Sequence, residues 1–133
     1  MSCLFDSMYS LLSQHGIYFE SSHTLRTKIT DFMRENPKYS LESGTVEEWV
    51  KLSAEDMNTN STSYIRDMAS ASTWGGAMEM AVMSKIFNIQ IDVIGRGAEK
   101  PLAQFNCTGD RVEAKFTIHW SGSHYTPVSK AVM

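Results

Sequence analysis

The hydrophobic periodicity of this 133-residue chain changes once, from a helical period before residue 88 to a period of two near the C-terminus. Apolar residues recur at helical spacing in segments 3–12 and 75–87, which predict the first helix and the strongest helix. Segment 89–94 is rich in β-branched residues and predicts a strand. Alternation with polar residues predicts another strand, carried by Val112, Ala114, Phe116, Ile118 and Trp120. Helices followed by strands indicate an α+β fold, with N-terminal helices packed on a small, mostly antiparallel sheet.

Caps and breakers set the remaining boundaries. Ser21 and Ser22 offer caps for a second helix, which Asn36-Pro37 ends, and Thr45 with Glu48 matches a capping box that opens a third. The polar segment 58–63 predicts a loop before a short helix at 64–69. Further strands are expected at 102–105, 112–120 and 124–128. Pro127 indicates that the last strand lies at a sheet edge or ends there.

Composition excludes several classes of function. A net charge of −3 without a basic stripe argues against nucleic-acid binding, and 42% hydrophobic residues argue against disorder. The sequence has no run of 18 apolar residues and no signal-peptide pattern, so we expect a cytoplasmic protein without a membrane span. No metal-ligand spacing occurs, so neither a metal nor a cofactor is expected. The two cysteines, Cys3 and Cys107, are interpreted as free thiols in one domain spanning 1–133, monomeric when isolated.

Cys3 and His124 are the residues best suited to nucleophilic catalysis. Cys3 opens the first predicted helix, where unpaired N–H groups and the helix dipole favour an anion and therefore the reactive thiolate. His124 follows a tight turn, so its imidazole can be held while its tip stays open to act as general base. From the residues alone, a buried apolar cysteine and a structural histidine remain open alternatives. His119 is the rival base, whereas His15 and His23 lie beside helix ends and are interpreted as surface or cap residues.

Three short segments form a pattern when they are taken together. Ser2-Cys3-Leu4-Phe5-Asp6-Ser7 places a cysteine, a leucine and a phenylalanine at a helix start, and Trp74-Gly75-Gly76 opens the helix that leads into strand 89–94. Ser123-His124-Tyr125 places a histidine and an aromatic residue after a turn. In this order the blocks resemble the ovarian-tumour (OTU) family of cysteine proteases and deubiquitinases. The resemblance covers residues 2 to about 128 and implies a papain-like fold.

The resemblance also implies a mechanism and a substrate. Cys3 would attack the carbonyl carbon after the C-terminal glycine of ubiquitin or a ubiquitin-like modifier, and His124 would protonate the departing amine. Backbone N–H groups near Ser2 and Cys3 would form the oxyanion hole, worth roughly 3–4 kcal/mol per donor. Trp74, Gly75 and Gly76 would shape a channel that admits only glycine next to the nucleophile. A structural role for this segment stays open, and Cys107 matches no block and is interpreted as a bystander.

The chain departs from the family pattern at two positions. Many members carry an aspartate three residues before the cysteine, a position that would precede Met1, and an acid or amide two residues after the histidine, where this chain has Thr126. The group that orients His124 is therefore not identified. Met1 is interpreted as the start of a domain cut from a longer polypeptide, and the compact size favours a viral protein in the host cytoplasm.

Two alternative functions remain open. A viral polyprotein-processing protease would share the chemistry and differ in substrate, and a catalytically inactive OTU-like module would only bind ubiquitin.

Overall fold

The computed structural model describes residues 3–41, 43–70, 73–95, 97, 100–106 and 112–132. Within these residues, five helices and six strands follow one another in the order α1 (Cys3–Gln14), α2 (Ser22–Glu35), β1 (Ser40–Leu41), β2 (Gly44–Thr45), α3 (Val46–Asp56), α4 (Ser61–Met68), α5 (Ala77–Ile86), β3 (Ile89–Gly95), β4 (Ala103–Phe105), β5 (Ala114–Trp120) and β6 (Tyr125–Val132). None of the described helices is long and apolar enough to cross a membrane.

Strands β3 to β6 form one sheet in the order β4-β3-β5-β6. The two outer pairings are antiparallel, whereas the central pairing of β3 with β5 is parallel, from Ile89 opposite Ala114 to Gly95 opposite Trp120. The sheet is therefore mixed, with one parallel pairing between two antiparallel ones. β6 is an edge strand, and its register with β5 shifts beside Pro127. The prediction of an edge position from Pro127 is confirmed, since proline cannot donate to a ladder.

The core lies where helices cover one face of this sheet. α1 buries the stripe predicted from its spacing, and α5 is buried on nearly all sides, which is typical of a central helix. α1 packs against β6 and α5 against β3. The buried apolar side chains of these helices and of β3 and β5 belong to one hydrophobic cluster.

Local signals explain most helix boundaries. The Ser21 hydroxyl caps α2 by accepting from the Thr24 N–H at 3.1 Å, and the predicted Thr45–Glu48 capping box opens α3. The predicted loop at 58–63 is too long, because the Asn60 side chain accepts from the Ser63 N–H at 2.9 Å and α4 begins at Ser61. The two-residue strands β1 and β2 were not predicted, since they are too short to show a period.

Candidate active site

The first turn of α1 holds Cys3 in place. Cys3 is the first residue of the helix and a partly exposed free cysteine. Leu4 and Phe5, the next two residues, are 1% and 0% exposed, so the backbone beside the thiol is fixed by the core. Ser2, predicted to contribute to the oxyanion hole, and Cys107 lie outside the described residues.

The segment Trp74-Gly75-Gly76, which we call the tryptophan segment, packs directly on that turn. A Cβ atom at Gly75 would lie 2.8 Å from Leu4 Cδ2 and 3.0 Å from Phe5 Cε2, closer than carbon atoms normally approach. Only glycine therefore fits at position 75 without movement of buried side chains. Gly76 is the N-cap of α5, and Trp74 is 40% exposed, so its indole is not a core residue.

His124 is held by a local turn. Its N–H donates to Ser121 Oγ at 3.0 Å, and its carbonyl accepts from the Ser121 N–H at 3.0 Å. The imidazole lies beside the Trp74 indole, with ring centroids 5.9 Å apart and ring planes tilted by 35°. In the described part of the chain, no side chain hydrogen-bonds to the imidazole, and Thr126, two residues on, has no hydrogen bond to it. The orienting group that many family members carry has no counterpart among these residues.

Contacts between α1 and β6 join the helix that begins at Cys3 to the strand that follows His124. Ser7, one turn after Cys3, is buried and donates from Oγ to the carbonyl of Tyr125, next to His124, at 3.2 Å. Burial raises the pKa of Tyr125, and the charges of Cys3 and Glu79 raise it further. Together with the Trp74 contact, these interactions join the predicted nucleophile, the tryptophan segment and the predicted base into one site.

The other histidines lie elsewhere. His119 follows buried Ile118 in β5, so alternation directs its side chain to the face of the sheet opposite the core and α1. His23 is exposed near the start of α2. His15 differs from the prediction of a surface or cap residue: its side chain is 14% exposed and packs edge-on to Phe116, with centroids 5.9 Å apart.

A buried polar network lies under the tryptophan segment, and the sequence analysis missed it. Glu79 is 1% exposed; one carboxylate oxygen accepts from the Gly76 N–H at 2.7 Å and the other from the Tyr64 hydroxyl at 2.8 Å. Burial raises the pKa of Glu79 to about 7, against the opposing effects of these hydrogen bonds and of the Arg26 charge. Burial next to that carboxylate also raises the pKa of Tyr64.

Arg26 is the second unexpected member. It is fully buried, its guanidinium stacks 4.4 Å above the Phe5 ring, and it donates to the Met68 carbonyl at 2.9 Å. Burial lowers the pKa of Arg26, and the charges of Glu79, Asp6 and Cys3 oppose that shift. A buried cation thus packs against Phe5 in the first turn of α1, on the core side of that helix.

These groups can carry out acyl transfer through a thiol. A partly exposed thiol at a helix N-terminus is suited to attack a carbonyl carbon, and a nearby imidazole is suited to move the proton. A cavity of about 220 Å³ beside the site is lined by Trp74, Gly76, Tyr64 and Glu79, among others. No group of three or more His, Cys, Asp or Glu residues within the described ranges is arranged to hold a metal ion.

The fold is shared with solved OTU structures. It is similar to an OTU domain in complex with ubiquitin (22% identity, TM-score 0.69, covering 97% of this chain and 64% of that one). It is also similar to an OTU deubiquitinase from Wolbachia pipientis wMel bound to ubiquitin (19%, 0.68, covering 96% and 89%). A third similar structure is the viral OTU domain protease from Dera Ghazi Khan virus (18%, 0.58, covering 99% and 75%). The predicted α+β OTU fold is therefore confirmed.

The family itself is shown by sequence. No curated protein matches the chain significantly. The family model described as OTU-like cysteine protease matches residues 2–126, a span that includes the first turn of α1, the tryptophan segment and the His124 turn. This chain, which spans 64% of the OTU domain found in complex with ubiquitin, belongs to the OTU-like cysteine protease family.

Proposed function

We propose that this chain is a deubiquitinating thiol protease that hydrolyses the peptide or isopeptide bond after the C-terminal glycine of ubiquitin or a ubiquitin-like modifier. The observation that carries the proposal is the junction of α1 with the start of β6. There, the Trp74 ring contacts the His124 ring, and Ser7 hydrogen-bonds to the residue after His124. This junction supports acyl transfer, because it joins the helix that begins at Cys3 to the strand that follows His124.

The reaction begins with proton transfer from the Cys3 thiol to the His124 imidazole. The thiolate attacks the glycine carbonyl carbon, and the resulting oxyanion accepts hydrogen bonds from backbone N–H groups near Ser2 and Cys3. When the C–N bond breaks, His124 gives its proton to the leaving amine, and a thioester remains on Cys3. Water, deprotonated by His124, then attacks the thioester, which releases the carboxylate and restores the thiol.

The tryptophan segment supports glycine as the residue next to the scissile bond. The side of Gly75 is filled by Leu4 and Phe5, whereas among the described atoms none lies within 4 Å of the side-chain position of Gly76, so a substrate backbone can approach at Gly76. Two structures that share the fold are bound to ubiquitin, which also supports ubiquitin as the partner.

One observation favours a second candidate function, an inactive module that binds ubiquitin. Among the described residues, no acid or amide orients the His124 ring, and the position that carries one in many relatives is Thr126. An imidazole without an orienter is a weaker base, because its tautomer is not fixed. A viral source, polyprotein processing and a cytoplasmic location remain predictions.

The experiment that tests the proposal is reaction with ubiquitin carrying an electrophile at its C-terminus. We expect a covalent adduct of one ubiquitin per chain for the wild type and for Cys107→Ala, and none for Cys3→Ala. An adduct retained in Cys3→Ala would refute the nucleophile assignment. Ubiquitin binding without any adduct, in folded wild-type protein, would support the inactive module instead.

A further inference from the structure

Glu79 makes two hydrogen bonds that connect the segment Trp74-Gly75-Gly76 with α4. Its carboxylate reaches back one helical turn to the Gly76 N–H at 2.7 Å and outward to the Tyr64 hydroxyl on α4 at 2.8 Å. Both contacts are buried or partly buried, and the side chain is 1% exposed. The α5 end of the tryptophan segment is therefore tied to α4 through one carboxyl group.

The same segment is fixed on its other side by packing. Gly75 lies against Leu4 and Phe5, directly after Cys3, and Trp74 lies against the His124 ring. A displacement of Gly76 would push Gly75 against the buried side chains of Leu4 and Phe5, or move the Trp74 indole relative to the imidazole. The position of the Gly76 N–H thus determines how the two halves of the site meet.

Burying a carboxyl group costs free energy that a helix start does not require. An N–H at a helix start can be capped by water or by a polar side chain that stays exposed. Glu48 is such a side chain, since it is exposed and accepts from the Thr45 N–H at 3.1 Å at the start of α3. At α5 the cap is a buried group that also connects to a second helix, α4. This difference points to a role beyond capping.

We propose that Glu79 is a positioning residue of this active site: by accepting the Gly76 N–H, it sets where the Trp74 ring lies against His124. The hydrogen-bond acceptor, and not the negative charge, performs this role, since Gln at position 79 can accept the same N–H and donate to Tyr64. The kinetic part of the inference rests on the proposed function. The geometric part does not.

The test compares Glu79→Gln, Glu79→Met and the matched cap variant Glu48→Met. The first readout is the NMR resonances of the His124 imidazole protons, which the Trp74 ring current shifts, with Trp74→Ala as the reference without that ring. We expect Glu79→Met to move these resonances toward the Trp74→Ala positions, and Glu79→Gln and Glu48→Met to leave them at wild-type positions. Wild-type resonances in folded Glu79→Met would overturn the inference and leave Glu79 a helix cap only.

The second readout is hydrolysis of a fluorogenic amide at the ubiquitin C-terminus. We expect kcat to fall about tenfold in Glu79→Met, since the acceptor of the Gly76 N–H is lost, with KM changed less than about twofold. Glu79→Gln should restore kcat to within about threefold of the wild type. Equal losses in Glu79→Gln and Glu79→Met would show that charge is what matters, against the inference.

Two complications have defined outcomes. If Glu79→Met does not fold, Glu79→Asp, which is one methylene shorter and cannot reach both partners, replaces it in both readouts with the same expected directions. If the wild type hydrolyses no ubiquitin amide, the proposed function fails, while the His124 resonances still decide the geometric inference.

Discussion

The two halves of the candidate site are held by different forces. Next to Cys3, the side chains of Leu4 and Phe5 are at most 1% exposed, so the core fixes the first turn of α1. The buried carboxyl group of Glu79 fixes the start of α5, which packs on that turn through Gly75. Around His124 the turn is exposed, and its hydrogen bonds are local ones to Ser121. We call the first turn of α1 together with the tryptophan segment the nucleophile half, and the turn from Ser121 to His124 the base half. The nucleophile half is therefore determined by tertiary packing, and the base half by a short turn. Substitutions in the first half should change both stability and rate, whereas those in the second should change rate alone.

The largest expected effect belongs to the base half. His124→Ala should lower kcat/KM by about 10²–10⁴-fold, because general acid–base catalysis is lost, while the melting temperature stays near that of the wild type. His119→Ala is the matched control, since His119 lies on the same two-strand unit with its side chain on the opposite face. Activity lost in His119→Ala and kept in His124→Ala would show that His119 is the general base and that the assignment of His124 is wrong.

Glu79 gives the nucleophile half a pH dependence of stability. Folding raises the pKa of its carboxyl from 4.5 to about 7, because burial outweighs the hydrogen bonds from Tyr64 and Gly76 and the charge of Arg26. Between these two values the folded state holds a proton that the unfolded state has released, so raising the pH favours unfolding. The contribution of Glu79 is fully present below pH 4.5 and is lost as the pH passes through about 7.

The measurement is the free energy of unfolding by urea, for the wild type and Glu79→Gln, from pH 4.5 to 8. We expect the wild type to lose about 3 kcal/mol relative to Glu79→Gln across this range. Taking the difference between the two proteins removes the pH dependence of all other groups. A constant difference would mean that Glu79 titrates near 4.5 in the folded state and is not desolvated as the packing indicates.

Two neighbouring glycines test the packing of the nucleophile half. Gly75→Ala should lower the free energy of unfolding by about 1–3 kcal/mol, since the new methyl group overlaps Leu4 and Phe5, which are buried. Gly76→Ala should lower it by less than about 1 kcal/mol, because among the described atoms none lies within 4 Å of the added carbon, and its φ of −157° suits any residue. Equal losses in the two variants would show that the contact with α1 is loose.

The sequence predicts what is local and misses what is tertiary. Periodicity places α1, α5, β3 and β5, and the Thr45–Glu48 pair announces α3 because both members of that capping box have side chains. The equivalent spacing from Gly76 to Glu79 carries no such signal, since a glycine cannot return the hydrogen bond. A glutamate three residues after a glycine at a predicted helix start was the available clue.

Arg26 shows the same limit. In the sequence it is a charged residue between the apolar positions of α2, and charged residues are usually exposed. Its burial follows from partners far along the chain, the Phe5 ring and the Met68 carbonyl, which only the fold brings together. Likewise, the short sequence blocks identify Cys3 and His124 as candidates. The contact between the Trp74 and His124 rings, however, is formed only by the tertiary structure.

The smallest expected effect concerns the missing orienter in the base half. Thr126→Asp places a carboxylate two residues after His124, where many relatives have an acid or amide. Because the turn is exposed, a carboxylate–imidazole pair there is worth about 0.2–1 kcal/mol, so kcat should rise by at most about fivefold. The increase should shrink at high salt, because exposed charges are screened. Thr126→Asn, which can accept a hydrogen bond without a charge, separates orientation from electrostatics. An unchanged kcat in both variants would mean that contact with the Trp74 ring already orients His124, and that the base half owes more to the packed half than its exposure indicates.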